Sequence, residues 1–111
     1  MTRLFLVLAL LAAGAGNDAL TGDWKPDDRD VVVHIGKAGA GYEGIADAGG
    51  RQLTVLKGLT WDDAGKAWRG EVWAPKRQAY FPAVIRLAGP DTFVMRAGTG
   101  LLAREVTWRR R

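Results

Sequence analysis

Seven clusters of turn-forming residues divide most of this 111-residue chain at regular intervals, and they constrain its fold more than any other feature. Glycine supplies positive φ and proline fixes φ, so each cluster predicts a turn. The clusters span residues 26–28, 36–41, 48–50, 62–65, 74–76, 88–91 and 98–100. They leave eight segments with the short, even spacing that is typical of an all-β sandwich or barrel.

Between the turns, apolar and polar residues alternate with a period of two. Phe81, Ala83 and Ile85 alternate with Tyr80 and Arg86, and similar patterns recur in the neighbouring segments. A period of two indicates antiparallel strands with one buried and one solvated face. Closing such a sheet on itself removes its exposed edges. We therefore predict a small eight-stranded up-and-down antiparallel barrel, lipocalin-like in shape, with a two-sheet sandwich as the alternative.

The first fifteen residues read as a signal peptide that precedes a single β-barrel domain over residues 16–111. Arg3 is followed by the unbroken apolar run of residues 4–13, and Ala13-Gly14-Ala15 resembles a signal-peptidase site. An apolar helix of that length spans about 15 Å, which is too short to cross a bilayer. We expect a helical signal that is cleaved near Ala15, a mature protein exported to the periplasm or secreted, and no transmembrane span in the mature chain.

Several stretches resemble known bacterial β-barrels. Gly22-Asp23-Trp24 resembles the Gly-x-Trp signature that opens lipocalin-like barrels. Together with Tyr42-Glu43-Gly44-Ile45 and Trp68-Arg69-Gly70-Glu71-Val72, it resembles the bacterial domain of unknown function 2147 family in order and spacing. The resemblance implies an exported small barrel and brings no established activity or catalytic residue. Many members have Cys where Glu43 stands here, so a role that depends on that cysteine is not expected.

The composition excludes several chemistries. The sequence has no serine, no cysteine and a single histidine, His34. Serine and cysteine nucleophiles are therefore absent, and one chain cannot bind zinc or copper through two imidazoles. Glu43 and Glu71 would form a glycosidase pair only if their carboxyls lay about 5–10 Å apart, which no pattern indicates. We expect a non-enzymatic protein with no catalytic residues, no metal site and no cofactor, and we expect His34 on the barrel exterior.

Four residues are candidates for ligand binding. Counting back by twos from Trp108 places Arg104 on the apolar face of the last strand, where a charge is costly unless it is paired. Arg104 would pair with Glu43 or Tyr80, be turned outward by a bulge, or anchor an anionic head group. Trp73 and Tyr80 flank the Pro75 turn, as either a binding rim or a cross-strand aromatic pair.

The charges are distributed unevenly along the chain. Residues 66–111 carry ten basic and three acidic side chains, whereas residues 16–65 carry nine acidic and five basic ones. One hypothesis is a barrel that binds a small apolar or amphipathic molecule in its interior or at its mouth. The alternative is a filled barrel whose basic C-terminal half docks on an anionic membrane surface or an acidic protein. An exported protein rarely meets nucleic acid, so no nucleic-acid partner is expected.

The two ends of the barrel domain supply a test of closure. Trp24 opens the first strand and Trp108 lies in the last, so these strands pair if the barrel closes. A tryptophan near one barrel end is well placed to lie under an arginine from the closing strand, an arrangement that lipocalin-like barrels also show. We predict Arg109 as that arginine, with Arg104 as second choice, in a cation–π contact of about 0.5–2 kcal/mol.

Overall fold

A computed structural model describes residues 18–111, and these form a closed antiparallel barrel. Each strand pairs with its neighbours in sequence, and the last strand pairs with the first. The strands are β1 (Gly22–Pro26), β2 (Val33–Ala38), β3 (Gly41–Ala48), β4 (Arg51–Asp62), β5 (Ala67–Ala74), β6 (Ala79–Gly89), β7 (Thr92–Ala97) and β8 (Arg104–Arg110). The predicted eight-stranded barrel is confirmed over these residues, whereas the signal-peptide prediction for residues 1–15 lies outside them.

The alternation of residue types produces the two faces of the wall. In β2, Val33 and Ile35 are fully buried and the intervening His34 is exposed. In β6, Ala83 and Ile85 are buried whereas Arg86 is exposed. Successive side chains of a strand point to opposite faces, so apolar residues at alternate positions fill the interior and polar ones cover the outside.

Pairing of β1 with β8 closes the barrel. Trp24 lies opposite Arg110, and Pro26 lies opposite Trp108. The Asp27 amide continues the pairing by donating to the Thr107 carbonyl at 2.8 Å. Closure provides backbone partners for both edge strands, and it is the outcome expected for a barrel rather than a sandwich.

Aromatic side chains fill the interior. Trp24, Trp68, Trp108 and Phe93 are each between 0 and 2% exposed. The Phe93 ring lies 4.6 Å from that of Trp24 and 5.3 Å from that of Trp108, measured between centroids. The described residues contain no disulfide, so packing of this kind stabilises the barrel. Leu20, which precedes β1, is also fully buried, so the segment before the first strand belongs to the core.

The up-and-down topology gives the barrel two distinct ends. The loop end carries the β1–β2 loop (27–32), the β3–β4 turn (49–50), the β5–β6 turn (75–78) and the β7–β8 connection (98–103). The terminal end carries residues 18–21, the C-terminus and the three remaining turns. Position along a strand therefore determines which end a side chain belongs to.

Phe81 departs from the sequence expectation. It shares the inward face of β6 with Ala83 and Ile85, as predicted, but it is only half-buried. Phe81 lies opposite Val72 near the start of β6, close to the loop end. The alternation that predicts a buried face through Phe81 therefore gives the correct face but the wrong depth, because a period of two does not encode the height of a residue in the barrel.

Candidate functional site

The structure brings Trp73 and Tyr80 together on the outer wall. The two residues are directly opposite each other in β5 and β6, with ring centroids 5.1 Å apart. The Tyr80 hydroxyl donates to the Thr54 carbonyl at 2.7 Å, and the Lys57 ammonium lies 3.9 Å from the centre of the Tyr80 ring. Both aromatic side chains are half-buried. They form a cross-strand aromatic pair just beneath the β5–β6 turn.

Arg104 and Glu43 lie apart from this pair. Arg104 is exposed where β8 begins at the loop end, and its register partner is Ala97. Glu43 lies opposite Gly36, between the inward-facing Tyr42 and Gly44. Among the described residues, no hydrogen bond or ion pair joins Arg104 to Glu43 or Tyr80. The expected interior pair is therefore not observed.

The position of Arg104 has a simple physical reason. The inward face of β8 passes from the buried Trp108 through the half-buried Val106 to Arg104 at the rim. The guanidinium there stays in water, so no partner is needed to offset desolvation. Within residues 18–111 no ion pair engages Arg104, so it is an exposed cation at the mouth of the barrel.

The arginine over Trp24 is Arg110, not the predicted Arg109. The Arg110 guanidinium lies 4.2 Å from the centre of the Trp24 ring. It donates to the carbonyls of Thr21 at 2.8 Å and Ala19 at 2.9 Å. Arg109 lies on the outer face of β8, where its guanidinium pairs with Asp27 at 3.1 Å. Side chains alternate along β8, so Arg110 shares the inward face with Trp108 and Arg109 does not.

The β7–β8 connection exposes two adjacent leucines that the sequence analysis missed. Leu101 is 103% exposed and Leu102 is 83% exposed, within the single-turn 3₁₀ helix Gly100–Leu102. The other large apolar side chains exposed among the described residues are only 37–41% exposed. The turn cluster at residues 98–100 predicted a connection here, and the Leu-Leu pair directly after it was the available signal.

Hydrogen bonds from the backbone and from one side chain hold the β7–β8 connection in place at its base. The Gly98 amide donates to the Pro82 carbonyl at 2.8 Å, which ties the connection to β6. The Arg96 guanidinium donates to the Gly100 carbonyl at 3.3 Å. Gly98 and Gly100 have φ values of 89° and 62°, a backbone region that glycine adopts without strain. The leucines are therefore presented at the loop end by an anchored turn.

Charge is divided across the loop end. The β5–β6 turn carries exposed Lys76 and Arg77, and Arg104 follows the neighbouring β7–β8 connection. The β1–β2 loop carries the carboxylates of Asp27, Asp28 and Asp30 together with one cation, Arg29, and ion pairs join Asp27 to Arg109 and Asp30 to Lys25. Since the loops follow one another around the rim, the β1–β2 loop lies across the barrel mouth from the β5–β6 turn. The β7–β8 connection, which carries the leucines, lies between these two loops and is adjacent to both.

Two surface grooves lie away from the leucines. One, of about 610 Å³, lies on the outer wall and is lined by Asp30, Val31, Val32, His34, Ile45, Asp47 and Gln52. His34 is exposed there, as predicted, with its Nδ1 2.7 Å from an Asp23 carboxylate oxygen. The other, of about 530 Å³, lies at the terminal end beside Tyr42, whose hydroxyl donates to Asp18 at 2.9 Å. Burial and then this hydrogen bond raise the pKa of Tyr42.

The acidic β4–β5 turn has local partners. The Arg69 guanidinium donates to Asp62 at 2.8 Å, and this bond together with the Gly65 amide holds the pKa of Asp62 below its ordinary value. The Trp61 indole and then Lys66 lower the pKa of Asp63 in the same way. The two carboxylates thus stabilise their own turn. Over residues 18–111 no group of three or more His, Cys, Asp or Glu side chains is placed to hold a metal ion.

The chain matches no protein-family model, no curated protein and no solved structure. The resemblance to the domain of unknown function 2147 family therefore stays a prediction. Within the described part of the chain, none of the helices has the length and apolarity to cross a membrane.

Proposed function

We propose that this protein is a non-enzymatic binding module of the bacterial envelope that holds an anionic amphipathic partner at its loop end. The observation that carries the proposal is the pair of protruding leucines, Leu101 and Leu102. The export predicted from residues 1–15 would bring the mature barrel to the periplasm or beyond, where amphipathic molecules and membrane surfaces are available as partners.

The leucines favour an apolar contact. Burying a leucine side chain contributes about 1.5–3 kcal/mol. Single exposed apolar residues are common on soluble proteins, but two adjacent and almost fully exposed leucines at the tip of an anchored turn are not needed for folding. No residue of the described barrel covers them. A partner with an apolar part would supply that cover.

The surrounding charge favours an anionic partner. Lys76 and Arg77 in the adjacent turn and Arg104 at the rim are all exposed, and no described ion pair engages any of these three. Arginine binds phosphate and carboxylate groups through parallel N–H bonds, and lysine binds them as a point charge. An apolar segment beside an anionic head group would match this arrangement.

The filled interior favours binding at the rim over binding inside. Trp24, Trp68, Trp108 and Phe93 occupy the space that a ligand would need. Eight-stranded barrels have room for either side chains or one small ligand. Of the two hypotheses from the sequence, the docking surface is therefore better supported than the interior pocket, and Arg104 would anchor an anionic head group, one of the alternatives that the sequence left open.

Binding of a single-chain anionic amphiphile tests the proposal. We expect lysophosphatidylglycerol to bind the mature protein below its micellar concentration, and lysophosphatidylcholine to bind more weakly. The double variant Leu101→Ser/Leu102→Ser should weaken binding at least about tenfold, because one buried leucine is worth that factor. The matched control is Leu87→Ser, which removes an exposed leucine from the terminal end of β6. Equal effects of the two changes, measured by calorimetric titration, would contradict the proposal.

A further inference from the structure

We infer that the partner of the loop end is an anionic bilayer rather than a single amphipathic molecule, and that the barrel docks tilted, with the β5–β6 side of its rim against the lipid. This inference rests on the proposed function and goes further, since it names the partner and the orientation. Three independent features of the loop end carry it: the shape of the apolar contact, the division of charge and the position of an aromatic pair.

The shape of the contact favours a surface. Sites for single small molecules are concave and cover most of the ligand. Leu101 and Leu102 instead protrude, at 103% and 83% exposure, and they line neither the groove around His34 nor the groove beside Tyr42. A single acyl chain lying against a protrusion would keep most of its own surface in water. A bilayer can surround a protruding side chain on all sides, as it does for the apolar side chains of interfacial helices.

The distribution of charge favours lipid contact on one half of the rim. Lys76 and Arg77 lie in the β5–β6 turn, where cations strengthen binding to an anionic membrane, whereas Arg104 starts β8, which pairs with β1. On the opposite side, the carboxylates of the β1–β2 loop are offset by cations: Asp27 and Asp30 pair with Arg109 and Lys25, and Asp28 is adjacent to Arg29. That side therefore offers an anionic surface little net attraction. Tilting toward the β5–β6 turn brings to the lipid two cations that no described ion pair engages.

The aromatic pair lies where a tilted barrel would meet the interface. Ala74, the last residue of β5, pairs with Ala79, the first residue of β6, beside the turn. Trp73 and Tyr80 form the next pair away from the turn. At about 3.3 Å per residue, the pair lies within about 7 Å of the turn. Trp and Tyr side chains concentrate at membrane interfaces because each has an apolar body and a polar group. The Lys57 ammonium lies above the Tyr80 ring and also pairs with Glu71 at 3.9 Å, so the pair adds no net charge at this level.

Quenching of tryptophan fluorescence by brominated lipids tests the inference on the intact mature protein. The probe is a vesicle of phosphatidylglycerol and phosphatidylcholine with bromine on the upper part of the acyl chains. Of the five tryptophans, Trp24, Trp68 and Trp108 are buried in the interior, and Trp61 is the second-to-last residue of β4, at the terminal end. Trp73 is therefore the one that the inferred orientation brings to the lipid.

We expect vesicle binding to fall at least tenfold in vesicles of phosphatidylcholine alone, and we expect quenching at saturating lipid to disappear in Trp73→Phe. The phenylalanine keeps an aromatic pair with Tyr80, so the protein should still bind. Binding to lysophosphatidylglycerol without binding to vesicles would overturn the bilayer inference and leave the proposed function standing. Vesicle binding with quenching that persists in Trp73→Phe would overturn the tilt. Binding to neither would remove both.

Discussion

Replacing Arg110 with methionine should destabilise the barrel far more than the same change at its neighbour Arg109. The Arg110 side chain extends from the last residue of β8 and holds the segment before β1 against the core. Its guanidinium donates hydrogen bonds to the carbonyls of Ala19 and Thr21 and lies over the ring of Trp24. Methionine keeps an apolar chain over the indole but removes the charge and all of its hydrogen bonds.

The magnitude follows from these contacts. Each of the two short bonds to carbonyls is worth about 0.5–1.5 kcal/mol net. The cation–π contact adds about 0.5–2 kcal/mol. The ion pair with Asp91 involves a largely exposed carboxylate and adds little. Since part of the apolar packing survives, we expect Arg110→Met to lower the free energy of unfolding by about 2–4 kcal/mol.

Arg109→Met is the matched control. Arg109 pairs with Asp27, and both side chains are about half exposed, so the expected loss is below about 1 kcal/mol. Urea unfolding of the mature protein, followed by tryptophan fluorescence, measures both values. In thermal unfolding the Arg110 variant should melt at least about 10 °C lower than the wild type. Equal losses for the two variants would refute the role that the structure gives Arg110.

Three further predictions concern the rest of the barrel. Trp68→Ala should cost about 3–5 kcal/mol in urea unfolding, whereas Phe81→Ala should cost clearly less, because its ring is only half-buried; equal costs would contradict the assigned depth of Phe81. The pKa of Asp62 is lowered on folding, so its contribution to stability is present above the unfolded pKa and is lost as the pH falls through the folded one. Asp62→Asn should therefore make the loss of stability on acidification less steep, and an unchanged slope of stability against pH would argue against its bond to Arg69. Gly41→Ala should destabilise by about 1–3 kcal/mol, since a Cβ there would clash with a backbone carbonyl of β4; a stability equal to that of the wild type would show that the strands can separate to admit it.

The fold was predictable because its determinants are local. Turn residues gave the number of strands, and alternation gave the buried face of each, as at Val33 and Ile35 around the exposed His34. Closure then followed from the need to pair both edges. What alternation does not encode is depth, which is why Phe81 and Arg104 were placed correctly on the inward face but too far from solvent.

The candidate site was less predictable for the same reason. The rule that put Arg104 on the inward face also puts Arg110 there, two residues beyond Trp108, so the identity of the arginine over Trp24 was available from the pattern. The Leu-Leu pair after the turn cluster was visible in the sequence, but the extent of its exposure was not. It depends on how far the β7–β8 connection extends past the rim, which is set by its bonds to β6 and by the positive φ of two glycines.

A nuclear magnetic resonance footprint of the lipid contact tests the central claim most directly. Backbone amide shifts of the mature protein would be followed while phosphatidylglycerol nanodiscs or lysophosphatidylglycerol is added. Binding at the loop end predicts that the changes concentrate in residues 75–78 and 98–104, and that core amides of β1 and β8 beside Trp24 and Trp108 stay unchanged. Changes centred on the interior, or on the outer-wall groove around His34, would contradict the account.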